Sequence, residues 1–291
     1  MSEKQPVGVA GCGTMGTGIA IVAARGGFPT FLFDLDPKRV EGALAGMHAF
    51  FGKSVQRGKL TQDQVDEIMG RVTGTSEIKD LAACGLVIEA IFEELEVKGK
   101  LFAALNEVCP PHTLFASNTS TLSITEIAAK SGRDDRFVGM HFCLPAQLMK
   151  LVEMSPGLNT SEESFAAAWA LCEQMGQRPV KTQDAPGFIL NYFLVPFNND
   201  AIRLVEEGVA EPAEIDKAIK GALGYAMGPM ELLDLVGLDT QVLLCEALHG
   251  VTHEPRAACP PLLRRMVAAG RLGRKTKRGF LNYDTTAIFG A

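Results

Sequence analysis

The 291-residue chain has no uninterrupted apolar run of the roughly 18–20 residues that a membrane-spanning helix needs. It has no Cys-x-x-Cys pair. Its seven cysteines (Cys12, Cys84, Cys109, Cys143, Cys172, Cys245 and Cys259) are odd in number and scattered. That excludes a disulfide framework and a zinc site from the reading, and it points to a reducing cytoplasm. Positive charge is not in excess either: 28 Lys+Arg stand against 34 Asp+Glu, a formal net charge of −6. A net acidic chain is a poor binder of nucleic acid or of acidic membrane surfaces. Low-complexity runs are missing, and 30 Gly and 15 Pro are ordinary for this length, so disorder and collagen-like structure are excluded as well. The segment Met1-Ser2-Glu3-Lys4-Gln5-Pro6 runs straight into a strand-like stretch, so no signal peptide is expected.

What is present is a soluble globular composition: 47% hydrophobic, 21% charged, mean hydropathy +0.12. The length suits one large domain or two ordinary ones. Short apolar runs alternate with longer helical patterns in the first half. The runs are Val7–Ala10, Thr30–Phe33, Leu86–Ala90, Thr113–Ala116 and Arg136–Met140. Helical spacing is expected over Thr14–Arg25, Val40–Val55, Gln62–Met69 and Glu94–Val108. Such alternation predicts βαβ units and a mostly parallel sheet.

The pattern changes at Asp184-Ala185-Pro186-Gly187, a turn signal. Beyond it the chain reads as helices: Phe188–Glu207 with a kink expected at Pro196, then Pro212–Ala222, Pro229–Val236, Asp239–Leu248 and Pro261–Ala269. A short strand or tail is expected around Phe280–Tyr283. The expected organisation is therefore an α/β domain over residues 1–187 and an all-α domain over residues 188–291.

Gly11-Cys12-Gly13-Thr14-Met15-Gly16 is the strongest local signal. It follows a strand and opens a helix, and Asp34 ends the next strand about 20 residues on. Gly11 permits the tight turn, Gly13 lets the backbone approach a pyrophosphate, and Gly16 allows close helix–strand packing. The helix start at Thr14 and Met15 supplies N–H groups and positive dipole to phosphates. Asp34 suits ribose hydroxyls and repels a 2′-phosphate, which favours NAD over NADP, an exclusion that Lys38 and Arg39 weaken slightly. The competing readings are a glycine-rich turn in another α/β protein, with Asp34 as a helix cap, and an FAD site, which the helical second half does not support.

His141 follows one expected strand, and Glu153 ends the apolar run that begins at Met149. A carboxylate beside an imidazole orients the ring and favours its charged form. Such a pair can move a proton on and off an alcohol oxygen while hydride leaves or reaches the carbon. A buried histidine that only makes hydrogen bonds is the plainer alternative. Asn118 and Ser120 lie in a polar turn after a strand, where open sheets bind ligands, or where the next helix is simply capped.

Several motifs in register carry a resemblance that spans nearly the whole chain. They are the glycine motif with Asp34, Glu89-Ala90-Ile91-Phe92-Glu93-Glu94 leading to Lys98, and Ala116-Ser117-Asn118-Thr119-Ser120. They continue with His141-Phe142, Pro145 and Met149-Lys150-Leu151-Val152-Glu153, then Pro186-Gly187-Phe188-Ile189-Leu190-Asn191. The last is Gly224-Tyr225-Ala226-Met227-Gly228-Pro229, with Leu233-Asp234 and Gly237-Leu238-Asp239 beyond it. In these the sequence resembles the (S)-3-hydroxyacyl-CoA dehydrogenase family, which includes 3-hydroxybutyryl-CoA dehydrogenases.

The resemblance implies a Rossmann-like NAD-binding domain, a helical substrate and dimer domain, an acyl-CoA substrate, a homodimer and no metal. It implies His141 as general base or acid, Glu153 as the partner holding its tautomer, and Ser120 and Asn191 as contacts to the substrate. It implies Glu93, Lys98 and Asn118 beside the nicotinamide, with Lys98 also facing CoA. On an acidic protein a CoA site must be a local basic patch, for which Lys53, Arg57, Lys59 and Lys98 are the candidates. The sequence departs from the family where Cys143-Leu144 replaces Phe-Asn, where Phe50 stands for a small polar residue, and where Lys277-Arg278 replaces Gly-Glu. Leu144 cannot make the hydrogen bonds of an asparagine. A dehydrogenase of a CoA-free sugar acid or carnitine-like hydroxy acid, and a non-catalytic NAD(H)-binding protein, stay open as alternatives.

Overall fold

A computed structural model describes residues 4–284. Met1, Ser2 and Glu3, on which part of the leader expectation rests, lie outside the described residues. Chain contacts divide the molecule into two compact units, Met1–Ala185 and Pro186–Ala291, where the sequence expectation puts the boundary at 187/188.

The first unit opens with β1 (Val7–Ala10), α1 (Thr14–Arg25) and β2 (Thr30–Phe33). It continues with α2 (Pro37–Gln56), α3 (Gln62–Met69), β3 (Val72–Thr75), β4 (Leu86–Glu89), α4 (Leu95–Val108), β5 (Leu114–Ser117) and α5 (Ile124–Ala129). It ends with β6 (Phe137–Phe142), β7 (Leu151–Pro156), α6 (Glu162–Gln174) and β8 (Arg178–Lys181). The eight strands form one sheet in the order β3-β2-β1-β4-β5-β6-β7-β8. All neighbours are parallel except β6 and β7. Strand order therefore reverses between β1 and β4, and ligands of open sheets bind at such a switch point, beyond the carboxyl ends of the strands.

The central strands β1, β4, β5 and β6 are buried along their whole length, as expected of a sheet covered on both faces. Local chemistry sets the helix starts. Asp36 accepts the Lys38 N–H with Pro37 at the first helical position, and Thr61 and Gln64 cap α3 reciprocally.

Three readings of the first unit need correction. β6 extends two residues past Met140, so His141 lies inside it. Glu153 is the third residue of β7 and does not end a strand. β3 and β8 do not stand out as apolar runs. They are edge strands, and β8 (Arg-Pro-Val-Lys) has exposed ends and a proline, which edges tolerate.

The second unit contains α7 (Leu190–Glu206), α8 (Pro212–Leu223), α9 (Pro229–Val236), α10 (Leu238–Thr252) and α11 (Pro261–Ala268). Its core gathers Val195, Ile202, Ile215, Met230, Leu233, Leu238, Cys245, Leu248, Leu263 and Met266. α7 starts later than expected because Phe188 has φ of +49°, a left-handed conformation that a helix cannot include. Pro196 sits within α7, which runs on to Glu206. The stretch around Phe280–Tyr283 makes only isolated bridges, and the Asp234 carboxylate accepts the N–H groups of Phe280 and Leu281 at 2.9 and 2.8 Å.

Candidate active site

The loop between β1 and α1 lies at the switch point. Gly11 has φ of +114°, and a Cβ there would lie 2.5 Å from the Ala90 carbonyl oxygen on the neighbouring strand's exit. A Cβ on Gly16 would lie 1.7 Å from the carbonyl oxygen of Gly11. Those two glycines are demanded by the loop itself. Gly13 is not: a Cβ there meets nothing within 4 Å, and the residue is exposed. Its backbone faces open space, which fits a phosphate group brought close to the start of α1. Thr14 and Met15 form the first turn of that helix.

Asp34 ties this loop to β2. One carboxylate oxygen accepts the Cys12 N–H at 3.0 Å and the other the Asp36 N–H at 3.1 Å. The Cys12 thiol is pushed up to about 12 by burial, with the Asp34 charge adding to the effect and Arg39 opposing it. A cavity of about 560 Å³ runs from Gly13 and Thr14 along α2 past Gly42, Gly46 and Phe50.

The second group sits at the ends of β4, β5 and β6. His141 and Glu153 are paired residues of the antiparallel ladder, and His141 Nδ1 lies 2.7 Å from Glu153 Oε2. His141 is 6% exposed and Glu153 1% exposed, so this contact is shielded from water. On the other side of the ring, Nε2 lies 3.1 Å from Ser120 Oγ. Asn118 Oδ1 accepts the N–H of Phe142, the residue after His141, at 2.9 Å. Four of the expected residues, Asn118, Ser120, His141 and Glu153, are therefore brought together.

Glu93 organises the Ser120 turn. Its Oε1 accepts the Thr119 hydroxyl at 2.5 Å, the Ser120 N–H at 2.8 Å, and the Thr121 N–H and hydroxyl at 3.1 Å. Its Oε2 lies 3.1 Å from Lys98 Nζ. Burial works against the Glu93 charge, but the Lys98 ammonium and the donated bonds outweigh it, and the carboxyl is held below the usual range.

Lys98 corrects the expectation of a CoA-facing surface cation. It is 1% exposed, and its ammonium lies 2.5 Å from Glu89 Oε1 as well as beside Glu93. Glu89, the last residue of β4, is fully buried and also accepts the Ser117 hydroxyl at 2.6 Å and the Ile91 N–H at 2.7 Å. Burial pushes its carboxyl up against the pull of Lys98 and those donors. Sequence reading gave Glu89 and Ser117 no role. The available signal was a carboxylate closing an otherwise apolar central strand, Leu-Val-Ile-Glu.

The remaining basic candidates lie elsewhere on the first unit. Lys53 is in the last turn of α2, Arg57 follows it, and Lys59 is in the next turn; all three are exposed. Asn191 belongs to the second unit, where it is buried in the first turn of α7. Among the described residues, no group of three or more His, Cys, Asp or Glu is placed to hold a metal ion. No helix among them is long and apolar enough to cross a membrane.

Comparison with known proteins identifies the family. Residues 6–185 match the family model of the 3-hydroxyacyl-CoA dehydrogenase NAD binding domain. Residues 187–283 match that of the 3-hydroxyacyl-CoA dehydrogenase C-terminal domain. A probable 3-hydroxybutyryl-CoA dehydrogenase of Bacillus subtilis is 42% identical over 282 residues, covering 97% of this chain and 98% of the relative. A 3-hydroxyadipyl-CoA dehydrogenase of Escherichia coli is 42% identical and covers 97% of this chain and 60% of that protein. The crystal structure of (S)-3-hydroxybutyryl-CoA dehydrogenase from Ralstonia eutropha superposes with a TM-score of 0.90 at 38% identity, over 97% of this chain and 99% of that one. With two domain models in tandem and these full-length matches, the chain belongs to the 3-hydroxyacyl-CoA dehydrogenase family.

Proposed function

We propose that this protein interconverts (S)-3-hydroxyacyl-CoA and 3-ketoacyl-CoA with NAD(H), His141 acting as general base in oxidation and general acid in reduction. The observation that carries the reading is the hydrogen-bonded line Ser120–His141–Glu153. Glu153 at Nδ1 fixes the ring and balances the charge it gains on protonation, which leaves Nε2 to exchange a proton with the substrate's C3 oxygen. The Ser120 hydroxyl marks the side of the ring where that oxygen is received. NAD(H), when bound, takes or supplies the hydride. Gly13 and the start of α1 would hold its pyrophosphate, and Asp34 its ribose hydroxyls, which favours NAD over NADP. Glu93 and Asn118 shape the turn on the nicotinamide side, with Lys98 acting from beneath through Glu93.

Lys53, Arg57 and Lys59 are proposed to meet the phosphates of CoA, since they offer exposed positive charge on a chain of net charge −6. Asn191 is assigned to the substrate on the family resemblance alone. The helical unit exposes Tyr192, Phe193, Tyr225, Leu243 and Val251, which favours a second copy of the chain as its partner in a homodimer. All seven cysteines are free thiols, as suits the cytoplasm.

A panel of acetoacetyl-CoA, longer 3-ketoacyl-CoAs, 3-oxoadipyl-CoA and free 3-keto acids, each with NADH and NADPH, tests the reading. Oxidation of NADH by the thioesters, with little by the free acids, is expected. Activity on the free 3-keto acids alone, where Leu144 and Phe50 would have redirected the site, contradicts it. Cofactor binding with no turnover on any of them contradicts it as well.

A further inference from the structure

The backbone N–H groups around Ser120 are taken by side chains. Thr119 donates to Ser117 Oγ at 3.2 Å, Ser120 and Thr121 to Glu93 Oε1 at 2.8 and 3.1 Å, and Leu122 to Thr119 Oγ1 at 3.0 Å. β5 has ended at Ser117 and α5 does not begin until Ile124, so neither a strand nor a helix fixes this stretch. A loop of that kind is held only as firmly as the side chains that hold it are themselves held.

A second carboxylate secures its far end. Asp184 Oδ1 accepts the Ile124 N–H at 2.8 Å. Its Oδ2 accepts the Thr125 N–H at 2.8 Å, the Thr125 hydroxyl at 2.6 Å and the Ser123 hydroxyl at 2.8 Å. Two of these partners carry further load. Ser123 Oγ accepts the Glu126 N–H at 3.3 Å, and Thr125 Oγ1 accepts the Leu158 N–H at 2.9 Å, just past β7. Asp184 itself lies three residues beyond β8 and is half-buried. In the sequence it reads only as the start of the Asp184-Ala185-Pro186-Gly187 turn.

We infer that Asp184 is a positioning residue for the Ser120 hydroxyl. The inference rests on the reading of Ser120 and His141 under Proposed function. Glu93 fixes the start of residues 119–125 and Asp184 fixes their end. Only Thr121 and Leu122 separate Ser120 from Ser123, so slack at Ser123 passes to the hydroxyl that stands 3.1 Å from His141 Nε2. Capping α5 is a task that any acceptor could perform, and Ser123 already shares in it. What Asp184 adds is its place in the chain. It stands two residues before the second unit begins at Pro186, where Gly187 and Phe188 take left-handed φ of +76° and +49°. One side chain therefore holds both the Ser120 turn and the point from which the chain leaves the first unit.

The test is Asp184→Asn in the full-length protein, which keeps the side chain's size and removes its charge and one acceptor oxygen. Amide hydrogen exchange is the first readout. Exchange should quicken at Ser120, Thr121 and Leu122 as well as at Ile124 and Thr125, with Val7–Ala10 of the sheet unchanged. Turnover of acetoacetyl-CoA should fall on the order of 10- to 100-fold in kcat, the scale of a misplacement of up to about 1 Å, while NADH affinity stays within about twofold. In a Ser120→Ala background the same change should cost less than about twofold, since residues that act through one another are not additive. Ser123→Ala, which removes one of the four bonds to Asp184, should shift exchange at Ser120–Leu122 in the same direction by less, and it decides the matter if Asp184→Asn does not fold.

Faster exchange confined to Ile124 and Thr125 would make Asp184 a helix cap alone and overturn the inference. An undiminished loss of kcat in the Ser120→Ala background would overturn it too. A Ser120→Ala enzyme as fast as the wild type would instead overturn the role given to Ser120 in the reaction, and exchange at Ser120–Leu122 would still decide whether Asp184 sets the turn.

Discussion

His141 and Glu153 stand directly opposite each other on the one antiparallel pair of the sheet, with Nδ1 and Oε2 2.7 Å apart. Two rigid strands therefore set their spacing, and no loop has to order for the pair to form. In Glu153→Gln the geometry is retained and the charge is lost. Turnover of acetoacetyl-CoA should fall by on the order of 100- to 10,000-fold, the usual worth of an acid–base partner. NADH affinity should stay within about twofold, as read by fluorescence titration, because Glu153 lies away from the Gly11–Gly16 loop.

Glu93 acts on Ser120 through the backbone. Its four accepted bonds hold residues 119–121 in the turn that carries the Ser120 hydroxyl to His141. Glu93→Ala should speed amide hydrogen exchange at Thr119–Thr121. It should also cost on the order of 100-fold in kcat/KM, the scale of a misplacement of about 1 Å. Because the Glu93 carboxyl is held below the usual range, the wild-type turn should keep its order as pH falls through that range and lose it only at more acidic pH.

Gly16 and Gly13 of the loop should separate by experiment. Gly16→Ala places a methyl 1.7 Å from the Gly11 carbonyl, and about 1–3 kcal/mol or more of stability should be lost on urea unfolding. Gly13→Ala meets no protein atom within 4 Å, so stability should hold while NADH binding weakens at least tenfold. Equal stability losses in both variants would contradict the assignment of Gly13 to the cofactor.

Lys98 and Glu89 form a buried ion pair, and Lys98 also meets the more exposed Glu93; removing the cation leaves both carboxylates without it. Lys98→Met should destabilise the protein by about 3–5 kcal/mol at pH 8, the range for breaking a buried ion pair. The sign with pH follows from Glu89. Its folded carboxyl is raised above its unfolded value, so the folded state holds more protons in that window and stability falls as pH rises through it. Without Lys98 the rise is larger, so the deficit measured by urea unfolding should shrink at pH 5 relative to pH 8.

Much of this was legible in the sequence because it lies in local patterns. α1, β1, β2 and α3 have the bounds that their apolar spacing implies, and the glycine motif announces the turn it makes. The pairing of His141 with Glu153 was foreseeable as a meeting of two strands, but not its register, since antiparallel pairing depends on the turn between the strands. The burial of Lys98 was not legible at all. A lysine four residues into a helix reads as surface charge until the sheet places Glu89 beneath it. Edge strands β3 and β8 escaped because short polar edges carry no apolar run.

The most direct measurement is the single-turnover rate of NADH oxidation by acetoacetyl-CoA in His141→Ala, alongside NADH binding to the same variant. The account predicts a rate lower by on the order of 100- to 10,000-fold, with NADH bound as tightly as by the wild type. A variant that binds NADH and retains a rate within about tenfold of the wild type would contradict the assignment of His141 as the group that moves the proton.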